Sequence, residues 1–313
     1  MKYIEDFKED DHIIGHYFCK QKQNLKSRAG KTYLSLKLQD RTGMIDAKVW
    51  DLNNDIQNFD ENDFIKIDGV VLTYQNEPQL KLSKIRRSRE GEYDPAEYIP
   101  RTDKDVAAMY QQVEELIRSV EDPQIRLLLE EIMIKDEHVR DAFQSSSAGK
   151  IMHHSYMGGL IEHTLAVTQI CDFLGRRYKF VNRDILIAAA LLHDIGKVFE
   201  LSPFPDNDYT DDGELLGHIV MGAEFISRAA AKIEGFPHQL ESLLKHCILA
   251  HHGEYEFGSP KLPKTMEALI LHFADNADAK LAAVEKAIDS DASQNDWLGF
   301  NKMLQRNLRK TQF

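Results

Sequence analysis

The chain has 313 residues, is 42% hydrophobic and carries a formal net charge of −12. That length allows two domains with a core in each, and no apolar run reaches the roughly 20 residues that cross a bilayer, so no membrane-spanning helix is expected. The cysteines Cys19, Cys171 and Cys247 are odd in number, far apart and form no CxxC pair, which argues against a disulfide scaffold or a thiolate metal centre.

The opening MKYIEDFKEDDH is charged and lacks the apolar core of a secretory signal, so a soluble, cytoplasmic protein with no membrane partner is expected. The first ~90 residues then read as strands. IIGHYFCKQ (13–21) opens the set. TYLSLKLQD (32–40) and MIDAKVW (44–50) alternate apolar and polar residues on either side of an RTG turn, the pattern of a hairpin. FIKIDGVVLTY (64–74) is a further strand, with a bulge or bend expected at Gly69. QNEPQ (75–79) is expected as a turn and LKLSKI (80–85) closes the set, while DLNNDIQNF (51–59) is expected as one short helix.

Five strands with a helix between the third and fourth follow the order of an OB-fold, a small partly open barrel that often binds single-stranded nucleic acid or oligosaccharide. Net charge averages over domains, and this part of the chain is locally basic. Lys20 to Lys48 holds eight basic and two acidic residues, and Lys81, Lys84, Arg86, Arg87 and Arg89 follow. The acidic excess lies further on, as in DNDYTDDGE (206–214). Tyr33 and Trp50 could stack on bases while Lys37 and Lys48 meet phosphates; alternatively the two rings are barrel core and the charges a solvated face.

EYDPAEYIPRTDKD (92–105), with two prolines and many charges, reads as a linker. DVAAMYQQVEELIRSV (105–120) and PQIRLLLEEIMI (123–134) have helical spacing, with Asp105 able to cap the first and Pro123 to start the second. From Gly158 to the end the chain reads as helices joined by loops, with Pro203–Gly217 and Gly253–Pro263 the longest loops. The 206–213 segment is either a lid or a solvated loop. Three units follow: a barrel over 1–90, a linker over 91–105 and an all-helical domain over 106–313.

Ten of the 13 histidines lie between 153 and 272, and five helical segments each offer an imidazole or a carboxylate. They are His163 after GGLIE, His193–Asp194 at the end of the apolar run Ile185–Leu192, His218, His251–His252, and Asp275 in ALILHFADNADAKL. Nitrogen and oxygen donors without sulfur suit Mn²⁺, Fe²⁺, Ni²⁺ or Zn²⁺. One aspartate has two oxygens and can bridge two ions, which together can activate a water and hold a phosphoryl oxygen.

The series GGLIEHT, LLHDIGK thirty residues later, then GH, HH and AD, resembles the HD-domain metal-dependent phosphohydrolases over roughly residues 150–290. The resemblance implies that His163, His193, Asp194 and Asp275 hold one ion and that Asp194, His218 and His251 hold a second. It also implies that Lys197 faces the phosphate; otherwise Lys197 is a lysine meeting a helix C-terminal dipole. Helical geometry turns His252 by ~100° from His251, so a substrate-contacting role is expected for it rather than ligation. His153 and His154 are left between the cleft and an interfacial or core role, and His246 and His272 are read as structural.

A locally basic OB-like module ahead of an HD domain, with MHHSYMGGLIEHT and this linker length, is similar to the YhaM family of bacterial 3′-to-5′ exoribonucleases. That likeness implies a manganese-dependent enzyme acting on single-stranded RNA, with some activity on single-stranded DNA. Two other functions stay open: a nucleotide or cyclic-dinucleotide phosphohydrolase regulated by its barrel, and a nucleic-acid-binding protein with an inactive HD domain. A homo-oligomer is compatible with the sequence but not specified by it.

Overall fold

The structure, a computed structural model, describes residues 2–27, 30–53, 55–74, 77–94, 97–150, 154–289, 291, 295–301 and 304–311. Two compact units divide the chain, Met1–Arg101 with Phe204–Asp206, and Thr102–Pro203 with Asn207–Phe313. His153 and the first two residues of the expected 75–79 turn lie outside the described residues.

In the first unit, β1 (His12–Lys26), β2 (Thr32–Asp40), β3 (Gly43–Val49), β4 (Phe64–Tyr74) and β5 (Glu77–Arg87) close into a barrel of order β1-β2-β3-β5-β4. Strand alternation decides which side chains fill it. Leu34, Leu36 and Leu38 of β2 and Ile45, Ala47 and Val49 of β3 point inward and are buried, joined by Ile65, Ile67, Leu80 and Ile85. The neighbours of opposite parity therefore face out. Closure pairs β1 with β4 and leaves these strands no open edge. The β4–β5 ladder slips by one residue at Asp68/Gly69, the bulge expected at the glycine. At the β2–β3 turn the buried Asp40 carboxylate accepts from the amides of Ile4 (2.7 Å), Thr42 (2.8 Å) and Gly43 (3.2 Å) and from the Thr42 hydroxyl (2.6 Å). Its four donors replace the water it gives up.

Two sequence expectations fail here. The described residues between β3 and β4 form no helix; the segment is irregular, and Ile56 bridges to Ile85. Its asparagines and aspartates favour turns through their own side chains. Pro78, read as a turn residue, lies inside β5 opposite Thr73.

The second unit is helical: α1 (Val106–Arg118), α2 (Pro123–Glu130), α3 (Glu137–Ser145), α4 (Gly159–Arg177), α5 (Arg183–Leu192), α6 (Lys197–Glu200), α7 (Asp211–Ala230), α8 (His238–Ala250) and α9 (Met266–Asp289). Asp105 accepts from the amides of Ala107 and Ala108, and Asp122 caps α2 with Pro123 at its start. Every residue from Ile185 to Leu192 is buried, so α5 is a central helix, packed against α4, α8 and α9. Thr210 caps α7, so the expected 203–217 loop already turns helical at Asp211. The expectation of helices alone to the end is also corrected. Trp297–Asn301 (β6) and Arg306–Arg309 (β7) pair as antiparallel strands, with a register shift between Trp297 and Gly299.

Candidate metal centre

The histidines of α4, α5, α7 and α8 and an aspartate of α9 meet where these helix ends converge. The apolar run of α5 stops at Leu192 and hands over to His193 as its C-cap. The His193 ring folds back so that Nδ1 donates to the carbonyl of Ala190, at 2.8 Å. α8 repeats the device: its C-cap His251 donates from Nδ1 to the Ile248 carbonyl, at 2.6 Å. Each ring thus satisfies a carbonyl left over at a helix end and turns its Nε2 away from the backbone. His218 sits just after a break in α7 where Gly217 adopts φ 74°, ψ 156°, a conformation open essentially to glycine alone. Gly196, in the turn after Asp194, lets α7 approach; a Cβ there would lie 2.0 Å from the His218 carbonyl oxygen.

The donor atoms form two groups around Asp194. His163 Nε2 lies 3.2 Å from His193 Nε2, 3.2 Å from Asp275 Oδ1 and 3.5 Å from Asp194 Oδ2. His193 Nε2 lies 3.4 Å from the same Asp194 oxygen. On the other side, Asp194 Oδ1 lies 3.5 Å from His218 Nε2 and 3.7 Å from His251 Nε2. Asp194 therefore presents one oxygen to each group.

The electrostatics fit cations at both places. Asp194 Oδ1, His218 Nε2 and His251 Nε2 are buried and have no hydrogen-bond partner among the described residues, a combination that costs free energy unless a ligand completes it. With Nδ1 of His163 and His193 both donating elsewhere, their Nε2 atoms stand 3.2 Å apart, a spacing that a shared proton satisfies in the metal-free chain and a cation could take over. Burial would lower the His163 pKa, but hydrogen bonds to Asp275 and Asp278 reverse this and push it up to about 9. The carboxylates thus hold a proton where they could hold a metal. Burial alone would raise the Asp194 carboxyl; the Lys197 ammonium and the His193 ring outweigh it and hold the group well below the usual carboxylate range. Burial, with His252 and His193 alongside, keeps His251 neutral, as a ligand must be.

Lys197 is the first residue of α6, not a C-terminal lysine, and its ammonium donates to Asp194 Oδ2 at 2.6 Å, so the dipole reading is replaced by an ion pair. His252 stands beside His251 at the end of α8. The ligand atoms of His218, His251 and His252 come within 4.8 Å of one another, with His252 Nδ1 donating to the Phe257 carbonyl at 2.9 Å. His246 and His272 make structural bonds: the His246 ring accepts the Lys264 amide and His272 Nδ1 donates to the His251 carbonyl.

Two carboxylates escaped the sequence reading. Asp278 accepts from His163 Nδ1 at 2.7 Å, and Glu200 accepts from His218 Nδ1 at 2.9 Å. Asp278 follows Asp275 by one helical turn, a signal that was available. Glu200 had no signal beyond being an acid in the otherwise apolar VFEL. His154 lies behind Asp278, with its Nε2 3.2 Å from Asp278 Oδ2.

On the barrel, Tyr33 and Trp50 are not core. They stack on each other with ring centroids 4.5 Å apart, on the outer face, and Trp50 is 39% exposed. Lys37 is exposed on the same face, and Lys48 donates to Ser35 at 2.5 Å and pairs in register with Lys81 of β5.

Residues 160–280 match the HD domain family, and residues 20–87 match an OB-fold nucleic acid binding domain family. A curated relative from Geobacillus sp. (strain WCH70), 3′-5′ exoribonuclease YhaM, is 36% identical over 265 residues, covering 83% of this chain and 80% of its own. The chain belongs to the YhaM family. Among solved structures, the second OB-fold domain of replication protein A from Methanococcus maripaludis is 17% identical, covers 29% of this chain and 96% of its own, and has a TM-score of 0.24. An OB domain from Thermoplasma acidophilum is also 17% identical, covers 31% and 92%, and has a TM-score of 0.23. In YhaM terms the described chain is a closed five-stranded barrel followed by a helical HD domain. HD phosphohydrolases depend on metal, and the histidine and aspartate groups above are where this YhaM chain could bind it. No helix among the described residues is long and apolar enough to cross a membrane.

Proposed function

We propose that the chain is a 3′-5′ exoribonuclease that hydrolyses phosphodiester bonds of single-stranded RNA at a two-metal HD site. The observation that carries this is Asp194, whose two buried oxygens face two separate sets of imidazole nitrogens. Its activity class and polarity follow its relative, named a 3′-5′ exoribonuclease.

His163, His193, Asp275 and Asp194 Oδ2 would hold one ion; Asp194 Oδ1, His218, His251 and His252 would hold the other. Two such ions supply a water of lowered pKa and a clamp on the phosphoryl oxygens. The nitrogen and oxygen donor set suits Mn²⁺, our choice by family, as well as Fe²⁺, Ni²⁺ or Zn²⁺; the three cysteines are buried and outside both groups. Lys197 fixes a positive charge beside Asp194, and we assign it stabilisation of the charge that develops on phosphorus oxygens. Trp50, exposed and stacked on the half-buried Tyr33, offers an aromatic platform to bases, and Lys37 and Lys48 offer charge to phosphates, a combination tolerant of sequence. DNA strands without secondary structure fit the same surface.

The test is 5′-labelled single-stranded RNA incubated with Mn²⁺, beside a panel of mononucleotides and cyclic dinucleotides. Stepwise shortening from the 3′ end that stops on chelation is expected. Phosphate release from nucleotides with RNA left intact would overturn the reading in favour of a small-molecule phosphohydrolase; RNA binding without turnover of either would point to an inactive HD domain.

A further inference from the structure

The four imidazoles with buried Nε2 atoms are anchored in two ways. His193 and His251 donate from Nδ1 to carbonyls of their own helices. His163 and His218 instead donate to side-chain carboxylates brought in from elsewhere, Asp278 on α9 and Glu200 on α6. One carboxylate-anchored ring stands in each donor group.

We propose that Asp278 and Glu200 are positioning residues, each fixing one histidine so that its bare Nε2 addresses one ion of the pair. This rests on the two-metal reading above. A carboxylate behind an imidazole holds the proton on Nδ1, orients the ring and makes Nε2 a stronger donor.

Both acids are built into place. Glu200 is buried, and its Oε1 also accepts the His218 backbone amide at 2.9 Å, so ring and backbone of the same residue are pinned by one oxygen. Asp278 is held from behind: His154 Nε2 lies 3.2 Å from it, His154 Nδ1 lies 2.9 Å from the Tyr156 hydroxyl, and Tyr156 donates to Glu162 at 3.0 Å. Glu162 in turn accepts from Thr102 at 2.6 Å and pairs with Lys104 at 2.9 Å. His154, His163 and Asp278 also lie close enough to be taken for a third ion site. The chemistry of His163 argues otherwise: a neutral ring that gives Nε2 to one ion keeps its proton on Nδ1 and cannot ligate there. The cluster is a support behind the first ion.

The experiment is a Mn²⁺ titration of metal-stripped full-length protein followed by electron paramagnetic resonance, on wild type, Asp278→Asn and Glu200→Gln. The thermal midpoint of each metal-free protein is measured alongside. Wild type should take up two ions per chain. Each variant should weaken one ion only, by about ten- to a hundred-fold, and leave the other near wild type. The double variant should weaken both. Two ions in wild type with unchanged affinities in both variants would overturn the positioning roles and leave the two-metal reading standing. Equal weakening of both ions by each variant, with a lowered metal-free midpoint, would also overturn them, as general structural damage. Fewer than two ions in wild type would overturn the two-metal reading itself.

Discussion

At the scale of single residues, Asp194 carries the most. Its side chain is almost wholly buried and touches both donor groups and Lys197. Asp194→Ala should lower turnover of single-stranded RNA by about a thousand-fold or more, because it removes an oxygen from each ion at once. Binding of RNA measured by fluorescence anisotropy should persist, since the barrel face is untouched. A variant that still degrades RNA near the wild-type rate would sink the assignment. On the barrel, each lysine that meets a phosphate of a single strand contributes about 0.7 to the slope of log affinity against log salt. Lys37→Ala with Lys48→Ala should therefore flatten that slope by about 1.4 units, read from binding isotherms across a salt series. An unchanged slope would remove these two from the RNA path.

At the scale of elements, the site depends on how helices end. α5 and α8 stop at histidines that cap them, and α7 breaks at Gly217 just before its histidine. Gly217→Ala places a side chain at φ 74° and should cost about 1–3 kcal/mol, seen as a lower thermal midpoint. The same change should weaken Mn²⁺ binding through His218 while leaving the His163 group less affected. Much of this level was legible beforehand. Alternation in 32–40 and 44–50 marks the β2–β3 hairpin, and the uninterrupted apolar run of 185–192 marks a helix buried all round. Periodicity reports only which face is apolar, so it could not say that the described residues of 51–59 stay irregular, that Pro78 joins β5, or that Tyr33 and Trp50 face out. Which rings face out depends on barrel register, where one residue of slip exchanges the two faces.

At the scale of the whole molecule, the acidic chain carries a locally basic barrel and a histidine-rich helical unit. Metal that binds only the folded helical unit should stabilise that unit by mass action. Mn²⁺ at a hundred times its dissociation constant should add about 2.7 kcal/mol for one site, and more where a second site fills. Hydrogen exchange on the full chain should show the added protection in α4, α5, α7, α8 and α9, with β1–β5 unchanged and EDTA reversing the gain. Protection spread evenly over barrel and helices would contradict a site confined to the second unit.

Residue types, their order and their local periodicity were enough to establish a five-stranded barrel ahead of helices, and a donor set of nitrogen and oxygen without sulfur, because these follow from chemistry that each residue carries with it. Only the tertiary structure decided that His252 joins His218 and His251, and that Asp278 and Glu200 stand behind His163 and His218. Such contacts join residues up to 115 positions apart, and hydrogen-bond geometry at that separation is set by how helices pack, which no local pattern encodes.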